Sequence, residues 1–292
     1  MHAALPMRQQ AQATPHQAMW ASGDFSMIAA NTAIVGELLC EAAGLKANQR
    51  VLDIATGSGN TAIAAARRWC EVSGLDFVPA LLERARTRVA AERLAAEFYE
   101  GDAEKLPFPD ASFDVVLSTF GVMFASQPRK ASLEMLRVCR AGGTIGLTSW
   151  TPDSFMARLQ QVSARYAPSP PNGRREPVAE LSGDGTAGTD VSMSAAVLWG
   201  TEPALCELLG DAVSSITATR QTFVMRAPSV EHWLDFTGRY LGPVQQLLAH
   251  LDSTRREAVR TEVAAIAHAF NRSDDSTMLI SAEYLQVIAV RR

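Results

Sequence analysis

Val51-Leu52-Asp53-Ile54-Ala55-Thr56-Gly57-Ser58-Gly59-Asn60 is an apolar run holding one carboxylate that falls directly into a glycine-bearing turn. Val51, Leu52 and Ile54 are the aliphatic types that a strand buried on both faces requires. Thr61 to Arg68, behind the turn, is helix-forming, so the stretch reads as strand, tight turn, helix. Gly57 and Gly59 carry no Cβ to hold a ligand off the backbone. The new helix turns its unpaired N–H groups and the positive end of its dipole toward the same place, where an anionic or nucleotide-like group is welcome.

Working outward, Cys70 to Asp76 is a second short strand ending in a carboxylate, 17 residues beyond Gly59. That is close to the spacing of about 20 residues at which a second-strand acid meets ribose hydroxyls in nucleotide-binding βαβ units. Capping of the helix that begins near Pro79 is the competing role for Asp76. Ala96 to Phe108 holds a third strand and a turn in which Asp102 serves either a ligand or its own backbone. Phe113 to Phe120 is a fourth strand, and Ser118 lies near its carboxyl end. The continuation Thr119 to Phe124 is apolar where a loop is normally polar, which suits a pocket floor containing Phe120 and Met123 as well as it suits plain packing. Thr144 to Trp150 is the fifth strand.

Alternation of this regularity implies an α/β fold with a doubly wound, mainly parallel sheet and its ligand crevice at the carboxyl ends of the strands. Residues 1–19 are polar and aperiodic, and are expected to form a flexible arm. A helix follows and ends at Gly44; Trp20 and Phe25 before it read as core packing ahead of ligand contact. Beyond Trp150, residues 167–194 are rich in Pro, Gly and charge and read as a disordered or lid-like insertion. Ser214 to Arg226 alternates as a strand. Residues 229–271 form a helical insertion of two helices, and Tyr284 to Val290 is a last strand expected to lie antiparallel beside it. Residues 20–292 are therefore expected to form a single domain, with 20–150 as its cofactor-binding core.

Composition narrows the partners. A chain of 292 residues with formal net charge −4 and arginines spread over several helices argues against a nucleic-acid partner. Cys40, Cys70, Cys139 and Cys206 are isolated, with no C-x-x-C pair and no histidine at ligand spacing, so no metal site or disulfide framework is implied. A cytoplasmic protein with a small-molecule substrate is expected. No membrane insertion is expected, because the apolar segment Met27 to Leu45 carries Asn31, Thr32, Glu37 and Glu41.

With these residues in place, the chain resembles the class I S-adenosylmethionine-dependent methyltransferases, in the small-molecule branch that includes the ubiquinone and menaquinone C-methyltransferases. The resemblance covers roughly residues 20–150 in motifs and the remainder in outline, and implies a Rossmann-like, seven-stranded sheet with an antiparallel last strand and an N-terminal and late helical cap. It implies S-adenosyl-L-methionine as cofactor. Asp53, Ala55, Thr56, Gly57, Gly59 and Asn60 are similar to the segment that receives the methionine part, with Ala55 where many members have glycine. Asp76 matches the acid that holds the ribose, with Phe77 beside the adenine. Gly101-Asp102-Ala103 resembles the adenine-reading segment, and Ser118 joins the cofactor set.

Phe120, Met123 and Trp150 are the candidate substrate pocket. The Asn/Asp-Pro-Pro-Tyr/Phe signature of nucleic-acid amine methylation is replaced by Ser118-Thr119-Phe120-Gly121. The resemblance thus implies methyl transfer to oxygen or carbon of an apolar or aromatic metabolite. No catalytic residue is identified; His232 and His250 are candidates for a base. Gly57-Ser58-Gly59-Asn60-Thr61-Ala62 also satisfies the nicotinamide-dinucleotide pattern, so an NAD(P)-dependent oxidoreductase is the alternative, with a catalytically silent cofactor-binding protein as a third reading. A carboxylate at Asp53 opposes a pyrophosphate and suits an ammonium group, which favours the first.

Overall fold

The computed structural model describes residues 14–167 and 199–292. β1 (Arg50–Ile54) is the aliphatic run of the opening stretch, and it is buried past its first residue. It pairs in parallel with β2 (Glu71–Asp76) on one side and β4 (Phe113–Thr119) on the other. β3 (Glu97–Glu100) extends the sheet beyond β2, and β5 (Cys139–Trp150) beyond β4, both in parallel. β7 (Met278–Arg291) then runs antiparallel to β5 and to β6 (Val213–Ala227). One seven-stranded sheet results, in the order β3-β2-β1-β4-β5-β7-β6. The last strand in sequence lies inside the sheet, and β6 takes its edge.

Period-two alternation splits the strands between two cores. Val51, Val72, Val115 and Leu117 pack under α3 (Ala33–Ala42), α4 (Asn60–Ala66) and α5 (Pro79–Ala91). Leu52, Ile54, Val116, Ile145 and Val287 pack under α6 (Pro128–Val138) and α8 (Glu202–Leu209). Burial on both faces is what a parallel sheet with crossover helices demands. Above the carboxyl ends of the parallel strands, α7 (Phe155–Tyr166) packs with α9 (Val230–Tyr240), α10 (Gly242–Ala249) and α11 (Ser253–Phe270) through Phe155, Trp233, Leu247 and Val259.

The structure departs from the sequence reading in several places. The segment 14–19 is not an arm: α1 (Pro15–Ala21) begins there, with the Thr14 hydroxyl accepting from the Gln17 N–H and Pro15 in the first turn. The helix ending at Gly44 is broken into α2 (Phe25–Ala29), a 3₁₀ turn and α3. Residues 229–271 hold three helices instead of two, because Pro243 cannot donate a backbone hydrogen bond and the chain restarts at Gly242. The insertion expected over 167–194 lies, from residue 168 onward, outside the described residues.

Candidate functional site

The carboxyl ends of β1, β2, β3 and β4 open on one cavity of about 1770 Å³, which also reaches under α1 and the cap formed by α7, α9, α10 and α11. At its centre is the loop after β1. Gly57 and Gly59 adopt the left-handed conformation, at φ +55° and +88°, and Gly59 caps α4 with its backbone. A Cβ on Gly59 would lie 3.0 Å from the Cβ of Ala85, so the turn also lets α5 approach. Ala55 is left-handed as well, at φ +53°, and carries the steric cost that glycine avoids.

Two carboxylates shape this loop. Asp53 is 1% exposed, and its Oδ2 accepts from the Thr56 hydroxyl at 2.5 Å and the Ala62 N–H at 3.0 Å. Burial pushes its pKa up to about 7, against the pull of those two bonds and with the Asp76 charge adding to the rise. Asp53 is thus a brace that is only partly charged near neutrality, which weakens the electrostatic discrimination expected of it. Asp76, at the end of β2, accepts from the Gly57 N–H through Oδ2 at 2.8 Å and from the Val78 N–H through Oδ1 at 2.9 Å. Burial raises its pKa too, while its backbone hydrogen bonds oppose the rise. Asp76 therefore stitches the glycine loop to the second strand and starts the turn into α5.

Beside Asp76, the cavity is lined by Phe77, Asp102, Ala103 and Glu104. Asp102 is exposed; its Oδ1 accepts from the Glu104 N–H at 2.8 Å, the local turn anticipated as its alternative role. Its Oδ2 has no protein partner among the described residues. Glu104 is buried and accepts from the Gln127 N–H and side-chain amide, each at 2.9 Å.

The floor of the other half of the cavity is carbon. Phe120 lies flat on Trp150, with ring centroids 3.7 Å apart at 13°, and meets the Tyr284 ring edge-on at 5.5 Å. Its backbone is left-handed, at φ +52°, and its N–H donates to the carbonyl and hydroxyl of Thr148 at 3.2 and 3.1 Å. A bulky residue in that region is strained by roughly 1–2 kcal/mol, held here by the Thr148 bonds and the ring stack. Met123 and Phe124 in the following 3₁₀ turn complete the floor, and Met156, Leu159, Trp233 and Leu247 of the cap face it.

Most expected site residues therefore converge: Asp53, Ala55, Thr56, Gly57, Asn60, Asp76, Phe77, Asp102, Ala103, Phe120, Met123 and Trp150 all line the cavity. Four do not. Gly59 sits behind the loop as a helix cap. Ser118 is fully buried, donating to the Ile54 carbonyl and accepting from the Val122 N–H, each at 2.9 Å, so it ties two strand ends together beneath the floor. His232 and His250 are exposed and outside the cavity, because α9 turns Trp233 inward and leaves its neighbour facing solvent. The idea that either acts as a base is not compatible with this placement. Conversely, His16, Gln17 and Trp20 of α1 line the cavity. The one sequence signal for them was Thr14-Pro15, a helix start inside a polar, aperiodic stretch.

A family profile described as "Methyltransferase domain" matches residues 51–143. Over 285 residues, 97% of this chain and 96% of the relative, the chain is 35% identical to the uncharacterised protein Rv1405c of Mycobacterium tuberculosis. It is 43% identical over 106 residues to a demethylmenaquinone methyltransferase of Deinococcus radiodurans, covering 36% of this chain and 44% of that protein. Among solved structures, YcgJ of Bacillus subtilis shares the fold with a TM-score of 0.55 at 19% identity, covering 88% of this chain and 97% of that one.

Proposed function

Because the chain belongs to the class I S-adenosylmethionine-dependent methyltransferases, we propose that its cavity serves methyl transfer to an oxygen or carbon of a small, apolar or aromatic metabolite. The residues present suit the cofactor. The left-handed loop at Gly57 leaves backbone unobstructed, and each Asp76 oxygen keeps a lone pair beyond its backbone bond for a hydroxyl donor. The Oδ2 of Asp102 remains an acceptor for an amine. When bound, S-adenosylmethionine supplies an electrophilic methyl on a sulfonium centre.

The observation that carries the acceptor class is the division of the cavity. Five of its six carboxyl groups (Asp53, Asp76, Glu100, Asp102 and Glu104) lie at the loop and strand ends of the cofactor half, and its histidine, His16, on α1; the sixth carboxyl, Glu257, is exposed on α11 with Arg256. The wall made by Phe120, Met123 and Trp150 with Met156, Leu159, Trp233 and Leu247 of the cap is apolar, and a polar acceptor seated against it would lose hydration; Gln160, Ser163, Thr237, Arg256 and Arg260 of the cap also line the cavity. Among the described residues, no imidazole, thiol or phenol lines that wall. Its task is to hold the acceptor in line and exclude water, which supplies much of the rate in such a displacement.

The test is transfer of labelled methyl from S-adenosylmethionine into a panel of phenols, quinols, carboxylic acids and amines. Turnover confined to apolar oxygen or carbon acceptors is expected. Turnover of amines or strongly polar acceptors alone rejects the acceptor class, and cofactor binding without transfer to any member supports the catalytically silent reading.

A further inference from the structure

We propose that His16 is a cofactor-binding residue, closing the adenosine end of the site from α1, a segment that lies outside the matched methyltransferase profile. The inference rests on the S-adenosylmethionine assignment and adds a wall that no motif of the sequence supplied. The His16 ring lies 5.5 Å from the Phe77 ring at 43°, and Phe77 directly follows Asp76. Gln17 donates through Nε2 to the Phe77 carbonyl, so two consecutive α1 residues grip the residue beside the ribose acid. Asp102 and Glu104, from the turn after the third strand, line the same cavity as His16. All of these residues line one cavity.

The ring is also oriented. The Trp20 indole N–H donates to His16 Nε2 at 3.1 Å, and Trp20 is wedged between Phe25 and Phe124 at 5.4 and 5.0 Å. With Nε2 accepting, the neutral ring carries its proton on Nδ1, a donor for a ring nitrogen or hydroxyl of adenosine. Burial favours that neutral form, against the opposing pull of Glu104 and Asp102. Close backbone contacts seat the helix and the turn that follows it. Gly23 packs on the Tyr240 carbonyl and Gly242 on the Met19 carbonyl so tightly that added Cβ atoms would lie 2.3 and 2.2 Å from those oxygens.

The alternative is that His16 only packs an aromatic cluster. Calorimetric titration of the full chain with S-adenosylmethionine and with 5′-methylthioadenosine, which lacks the amino-acid end, separates the two. His16→Ala should weaken both ligands by the same factor, about tenfold for one ring contact plus one hydrogen bond, with the melting temperature nearly unchanged. His16→Asn, which keeps an N–H donor, should recover part of the loss on both. Unchanged affinity in His16→Ala, a loss for S-adenosylmethionine alone, or a loss that merely tracks a fall in melting temperature overturns the proposal. A wild-type chain that binds neither ligand removes the cofactor assignment itself.

Discussion

Asp53 and Asp76 stand at neighbouring strand ends, and both are used by the backbone before any ligand arrives. For Asp53 this has a pH signature. Its folded pKa of about 7 lies above the unfolded value of about 3.9, so the folded chain holds the proton more tightly. Its contribution to stability is full at acid pH, declines as pH rises from about 4 to 7, and levels off above. Asp53→Asn should flatten that decline, read as the urea midpoint between pH 5 and pH 8; an unaltered slope would assign the decline elsewhere. Ala55 and Gly121 form a second residue-scale test. A Cβ on Gly121 would lie 2.6 Å from that of Ala55, so Gly121→Ala should destabilise by about 1–3 kcal/mol of overpacking. Adding Ala55→Gly removes the clashing methyl and a left-handed alanine, and should restore part of the loss in a double-mutant cycle. Additive effects would show that the two positions do not meet.

At the scale of elements, α1 and α10 are joined by backbone contact at Gly23 and Gly242, while α1 also grips Phe77. Cofactor held beneath α1, as proposed above, should therefore steady the start of the cap. Hydrogen exchange should slow in residues 15–21 and 242–249 together on addition of S-adenosylmethionine, and Gly242→Ala should abolish the response at both. Slowing in α1 alone would mean that the seam does not couple the two sites. The reading of the strands and of helices α4 to α6 needed only local pattern. The two flanking helical regions did not yield to it, because α1 carries no apolar period and α9 to α11 divide their apolar residues between one another, α7 and the end of the sheet.

For the whole molecule, the consequential feature is where the last strand goes. β7 lies between β5 and β6, with Val287 and Ala289 fully buried, so residues 278–291 form an interior strand of the sheet rather than a tail. Deleting them should leave no cooperative near-UV signal, since two strands would lose a full ladder of partners. A native spectrum from the truncated chain would refute this.

The cofactor class entered through the family resemblance that the motifs carry; the amino-acid sequence by itself determined the strand–loop–helix corner at Val51 to Asn60, the second-strand acid and the parallel core. These are local consequences of side-chain type, period and spacing. Tertiary structure alone decided that Ser118 is a buried brace, that His232 and His250 face solvent, that burial raises the pKa of Asp53, and that His16 lies against Phe77 in the cavity. Each of those depends on which side chains from distant parts of the chain surround a group, and burial and hydrogen-bond partners are properties of the packed molecule, not of the residue.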